Sequence, residues 1–158
     1  MSSSRSKSSI LDKPLSKGKG EVSLAIYALL FSEIVQYSQN RSHSIQELQT
    51  KLSEMGQDVG SRLLDLYFVR ERNSKREIKL LNMLLFVKST LWKVNKFISV
   101  PKDKGSLNCA SFNAGIIEAV LTRSGFAAKV TAHWHKGTTY MVKFDDAVIL
   151  RDKSLDDR

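Results

Sequence analysis

The chain has 158 residues, 25 of them basic and 16 acidic, for a net charge of +9, and 42% are hydrophobic. This is enough apolar material for one ordinary domain with a substantial core, which excludes a disordered chain. The single cysteine, Cys109, excludes an intrachain disulfide, and no apolar run reaches the length of a signal core or a bilayer span, so a cytoplasmic protein is expected.

Residues 1–20 hold Arg5, Lys7, Lys13, Lys17 and Lys19 against only Asp12, among serines and glycines broken by Pro14. They are expected to form a flexible basic arm, with a single domain over residues 21–158. Ser2 stands where N-myristoylation needs glycine, and Leu155-Asp156-Asp157-Arg158 is no prenylation box.

From Glu21 the pattern changes. Val22, Ala25, Ile26, Leu29, Leu30, Ile34 and Tyr37 recur at three-and-four spacing, which predicts an amphipathic helix ending near Asn40. Ser44 and Glu47 form a capping box for a second helix, whose stripe is Ile45, Leu48, Leu52, Met55, Val59, Leu63 and Leu66. Gly56 and Gly60 lie four apart on that helix. Each costs about 1 kcal/mol relative to alanine, so the pair predicts close approach of another helix backbone. Ser74 and Glu77 repeat the capping box before a third helix through Ile78, Leu81, Leu84, Leu85 and Leu91.

The link between these helices carries Arg70, Arg72, Lys75, Arg76 and Lys79, a solvated helix end that could also face an acidic surface. Residues 96–100 read as a short strand stopped by Pro101. Ser106 is the expected cap of a fourth helix that is apolar most of the way round and therefore deeply buried, with Arg123-Ser124-Gly125 as its stop.

The remainder reads as β. Residues 129–134 alternate, Lys136-Gly137 is a turn signal, residues 138–144 return, and Asp145-Asp146 turns into a last strand over 147–150. The fold class is α+β, with four helices on one face of a small antiparallel sheet.

No constellation supports catalysis. His133 and His135 point the same way on a strand, but His43 and Cys109 are the only other soft ligands and neither sits at a zinc spacing. Cys109 falls among Leu107, Ala110 and Phe112, as a small buried hydrophobe does. There is no phosphate loop, and no base, nucleophile and orienting group come together. Hence no enzyme, no cofactor and no metal are expected. The charge alone leaves a nucleic-acid binder open, yet no reading motif or stacking platform accompanies it. A standalone domain holding a hydrophobic ligand is a further alternative.

The segment Met55-Gly56-Gln57-Asp58-Val59-Gly60-Ser61-Arg62-Leu63-Leu64-Asp65 resembles the M-G-x-x-[VI]-G-x-R-[LI]-x-[DE] stretch of the small subunits of the trafficking protein particle (TRAPP) family. The run Lys129-Val130-Thr131-Ala132-His133-Trp134-His135-Lys136-Gly137-Thr138-Thr139-Tyr140 extends the likeness, as do residues 22–39 and 106–125. The resemblance implies an α+β subunit that heterodimerises with related small subunits through its first two helices. It further implies a vesicle-tethering complex at the cis-Golgi that receives endoplasmic-reticulum vesicles and, as a whole, acts as an exchange factor for a Rab-family GTPase, with only peripheral membrane contact.

Tyr27, Leu30, Phe31, Ile34, Leu52, Met55 and Val59 are the expected partner face, and no nucleic-acid partner is expected. Two departures stand out. The acylated cysteine of a sister subunit has no counterpart in residues 69–79, and the family's longer segment is missing after Trp92-Lys93-Val94.

Overall fold

The computed structural model describes residues 23–72, 76–91, 107–135 and 137–156. Among these residues the chain forms α1 (Leu24–Gln39), α2 (Ile45–Arg72), α3 (Leu80–Thr90), α4 (Ser111–Arg123), β1 (Ala128–Trp134), β2 (Thr138–Phe144) and α5 (Asp146–Asp156). The architecture is α+β, and the sheet is one antiparallel pair with Val130 opposite Val142 and Ala132 opposite Tyr140. The expected basic arm and the strand over residues 96–100 lie outside the described residues.

Local chemistry sets most boundaries. Ser23 Oγ accepts the Ala25 N–H at 3.3 Å to start α1. At α2, Ser44 Oγ accepts the Glu47 N–H at 3.1 Å, and the Glu47 carboxylate reaches back to the His43 N–H at 2.8 Å. The first bond satisfies a backbone donor that the first helical turn leaves unpaired, and the second ties the residue before the cap to that turn. The Glu47 carboxyl is held below its usual range by that His43 N–H first and by Lys51 second. At the far end of α4, the Phe126 N–H bonds Leu121 O at 2.9 Å and the Gly125 N–H bonds Thr122 O at 3.0 Å, while Gly125 sits at φ 86°. This is a Schellman stop, and glycine carries the left-handed residue without strain.

Three expectations are corrected. Residues 147–150 are not a strand but the first part of α5: Asp145 O accepts the N–H groups of Val148 and Ile149, and Asp146 sits in the first turn. A short apolar run does not distinguish helix from strand, and here the backbone bonds to Asp145 O, with acidic Asp146 in the first turn, open a helix. The third helix starts at Leu80, beyond Glu77, and its first N–H is taken by Asp152 Oδ1 of α5 at 2.8 Å. A cap supplied across the fold leaves no local pattern, and Ser74 lies outside the described residues. Ser106 does too. The turn into α4 is held instead by Asn108, whose Oδ1 accepts the Ala110 N–H at 3.1 Å and whose carbonyl accepts the Ser111 hydroxyl at 2.8 Å.

The core is centred on α4, which is buried on almost every side. It packs along α2, through Leu48, Leu52, Phe112 and Ile116, and backs onto β1 through Val120 and Val130. Phe86 of α3 stacks on Phe68 of α2 with ring centroids 5.2 Å apart, and Val148 brings α5 into the same cluster. With α2 and β1 occupying two sides of α4, α1 rests at the edge of the core.

Candidate partner interface

The α1 sequence is apolar nearly all round, and the core takes only one side of it. Phe31 is buried, meeting Phe112 edge-on at 5.5 Å, and Ile34 and Val35 pack beside it. Leu29 and Leu30, by contrast, are 69% and 59% exposed, and Leu24, Ile26 and Tyr37 are exposed too. Ile26, Leu29, Leu30 and Tyr37 lie towards one side of the helix, together with exposed Glu33, and no described residue covers them.

The residues expected at the partner face therefore divide. Leu52 is fully enclosed by the chain's own core, and Phe31 nearly so, reaching outward only at the wall of a pocket. Leu30 points outward. Tyr27, Ile34, Met55 and Val59 are half-buried at the junction of α1 and α2, where Ser38 Oγ donates to Met55 Sδ at 3.4 Å. Tyr27, Leu30, Phe31, Ile34, Val59 and Tyr67 line an apolar pocket of about 200 Å³ between α1, α2 and α4. Ile26 and Leu29 extend the outward surface but were missing from the expected face. The signal was available, since a helix hydrophobic beyond one stripe is covered on more than one side.

The glycines of α2 face α4. A Cβ at Gly56 would collide with Phe112 O, and one at Gly60 would come within 2.6 Å of Ile116 O. The contact is reciprocal, because a Cβ at Gly115 of α4 would meet Ser53 O. Backbone meets backbone here, which fixes the angle at which α2 presents its outer side to α1.

Buried phenols surround the pocket. Burial first, and the neighbouring Tyr67 second, raise the Tyr27 pKa, and its hydroxyl finds no hydrogen-bond partner among the described residues. Burial raises that of Tyr140 much further, against a small opposing effect of Asn113. Since both folded values exceed the ordinary phenol value of about 10, their contribution to stability is intact below that pH and is lost as pH rises above it. We expect the Tyr27→Phe/Tyr140→Phe double variant to lose less stability than the unsubstituted chain above about pH 10, as read from urea midpoints across a pH series. An identical pH profile would refute this.

His133 and His135 are exposed, and His133 Nε2 bonds Thr131 Oγ1 at 2.8 Å. Among the described residues no three histidine, cysteine or carboxylate groups gather for a metal. Cys109 is buried, and burial pushes its thiol above the ordinary value, away from nucleophilic character. Of the basic stretch, Arg76 donates to Ser124 O at 3.5 Å. No helix among the described residues is long and apolar enough to cross a membrane.

The profile of the transport protein particle (TRAPP) components matches residues 27–95 and 93–145. The chain belongs to this family. It is 50% identical to trafficking protein particle complex subunit 5 of Gallus gallus, an alignment covering 98% of this chain and 97% of the relative. The subunit 5 of Homo sapiens is 48% identical over the same shares, and that of Dictyostelium discoideum is 44% identical over 90% of this chain and 96% of its own. The Gallus gallus alignment runs to 182 positions against a chain of 158, so that TRAPP component carries internal residues absent here. The family match falls in two parts that overlap at residues 93–95, in the connection from α3 to α4. That is where the sequence alone places the missing segment.

Proposed function

We propose that this chain is a non-catalytic structural subunit of a TRAPP assembly, joined to a related small subunit through the outer side of α1 and the adjoining side of α2. The assembly tethers vesicles passing from the endoplasmic reticulum to the cis-Golgi, and as a whole promotes nucleotide exchange on a Rab-family GTPase. This subunit resides in the cytoplasm and reaches the membrane only as part of that complex. The observation that carries the reading is the exposed apolar run of α1, Leu24, Ile26, Leu29, Leu30 and Tyr37, beside an open pocket of about 200 Å³. A partner side chain inserted there would act as an anchor of the kind that dominates interface energetics. The names of the relatives, subunits of a trafficking particle, point to a partner of the same family.

Co-expression with a related small subunit, followed by sedimentation analysis, tests the reading. A one-to-one complex burying on the order of 1,200–2,000 Å² is expected. A chain that stays monomeric beside each small subunit of its family would overturn it.

A further inference from the structure

One charge interrupts the outward side of α1. Ile26, Leu29, Leu30, Glu33 and Tyr37 fall within an arc of about 100° around the helix, with Glu33 inside it between Leu29 and Ile26. All five are exposed. Along the axis the stripe runs from Ile26 to Tyr37, so Glu33 also lies near its middle rather than at a solvated rim. It is the one acidic or basic residue of α1, and among the described residues it forms no hydrogen bond or ion pair.

In water an exposed carboxylate is well solvated, but any molecule that covers this stripe strips that water away. A buried carboxylate without a counter-charge opposes binding strongly, whereas a cation facing it offsets the loss and fixes the register. A second copy of α1 does not supply that cation. A twofold axis through the middle of the stripe sets Glu33 opposite Leu30 and draws two carboxylates into one dry seam. Parallel helices in register set them directly against each other. Arg41, the nearest cation in sequence, lies about two turns further on, over the Tyr37 ring at 3.7 Å. Residues 1–20 contain five cations but only Met1, Ile10, Leu11 and Leu15 as large apolar side chains, which makes them poor cover for the apolar part of the stripe.

We propose that the helix seated on α1 belongs to a different polypeptide and carries an arginine facing Glu33 within an otherwise apolar side. Glu33 is then the residue that selects a heterotypic partner over a second copy. This rests on the outer side of α1 being the joint with a related small subunit. Arginine suits the position better than lysine, because its planar guanidinium bonds both carboxylate oxygens and is more weakly hydrated. The charge pair supplies specificity, and the surrounding leucines supply the buried area.

The probe is the related small subunit recovered with the full chain on co-expression, titrated calorimetrically against variants of the full chain. Glu33→Gln keeps the shape and removes the charge, so affinity should fall at least about tenfold. Glu33→Arg sets like charges together and should lower it at least about 100-fold. The arginines and lysines of the probe's first two helices are then replaced by glutamate, one at a time. One of these variants should bind the Glu33→Arg chain at least about tenfold more tightly than the unsubstituted probe does, a rescue that packing or helix propensity alone does not produce. The free Glu33→Gln chain should melt within about 2 °C of the unsubstituted one, because an exposed, unpaired side chain adds little to folding.

The proposal is overturned if Glu33→Gln and Glu33→Arg bind as tightly as the unsubstituted chain, or if no glutamate variant of the probe rescues. The joint at α1 would survive that result, since Leu30→Asp reports on it separately. A chain that binds no small subunit fails at the joint itself, and the inference falls with it. Self-association of the unsubstituted chain that Leu30→Asp abolishes would make a second copy the occupant and overturn it. A free Glu33→Gln chain that melts further below that window would show that a cation of this chain already holds Glu33, with the same consequence.

Discussion

Replacing Gly56 by alanine should lower the melting temperature by roughly 5–15 °C, although alanine is the better helix former. The propensity gain is about 1 kcal/mol. Against it stands a methyl group directed at the carbonyl of Phe112, with the Ile116 amide nitrogen 3.1 Å away. No rotamer relieves this clash, because both neighbours are backbone. Helix α2 must move away from α4, opening the packing around Leu52 and Phe112. Overpacking typically costs 1–3 kcal/mol and occasionally more; with two backbone neighbours that cannot yield, a gross cost of about 3–5 kcal/mol less the propensity gain leaves a net loss of about 2–4 kcal/mol. At about 2–4 °C per kcal/mol for a domain of this size, the shift follows.

Gly115→Ala should cost a similar amount through Ser53, and Gly60→Ala less, since its closest backbone approach is 2.6 Å. Far-UV circular dichroism during heating measures all three. A Gly56→Ala protein that melts at or above the unsubstituted temperature would mean that α2 and α4 do not touch as described.

This contact shows what kind of information the sequence carries. Gly56 and Gly60, four apart in an otherwise strong helix, signal that something approaches closely, but not which backbone, and Gly115 gives no signal until α4 lies beside it. The α4 helix is legible because its apolar residues go round the cylinder, and β1 and β2 are legible from alternation on either side of Lys136-Gly137. Residues 147–150 were misread for a physical reason. Four apolar residues suit either period, and the deciding groups are Asp145 O and Asp146, which also read as a turn. The start of α3 was illegible in another way, because its cap, Asp152, is 72 positions away in sequence.

The expected partner face names apolar residues of α1 and α2 without the division that burial makes among them. A stripe at three-and-four spacing names the apolar residues of α1 but not which of them the chain itself consumes. Leu52 and Phe31 were assigned outward, and the structure encloses them, because α4 lies against α2 and meets Phe31 through Phe112. Periodicity gives the angle between residues on one helix. It does not give the position of the next helix.

That division makes the last prediction sharp, because adjacent residues should fail in opposite ways. Leu30 is 59% exposed, so Leu30→Asp removes little burial from the free chain. Its cost to stability should stay below about 1 kcal/mol, mostly helix propensity. In a complex the same aspartate would be buried against an apolar surface with no partner, a placement worth several kcal/mol. Affinity for a related small subunit should fall at least about 100-fold, which corresponds to about 2.7 kcal/mol.

Phe31→Ala is the converse. It removes a ring held between Tyr27, 6.2 Å away, and Phe112, 5.5 Å away, and should cost about 3–5 kcal/mol of folding stability. Its effect on affinity, measured well below its melting temperature, should be the smaller of the two. Calorimetric titration and thermal melts on both variants separate the outcomes. Should Leu30→Asp bind as tightly as the unsubstituted chain, the outer side of α1 is not where the partner sits. If it instead unfolds the free chain, Leu30 belongs to the core.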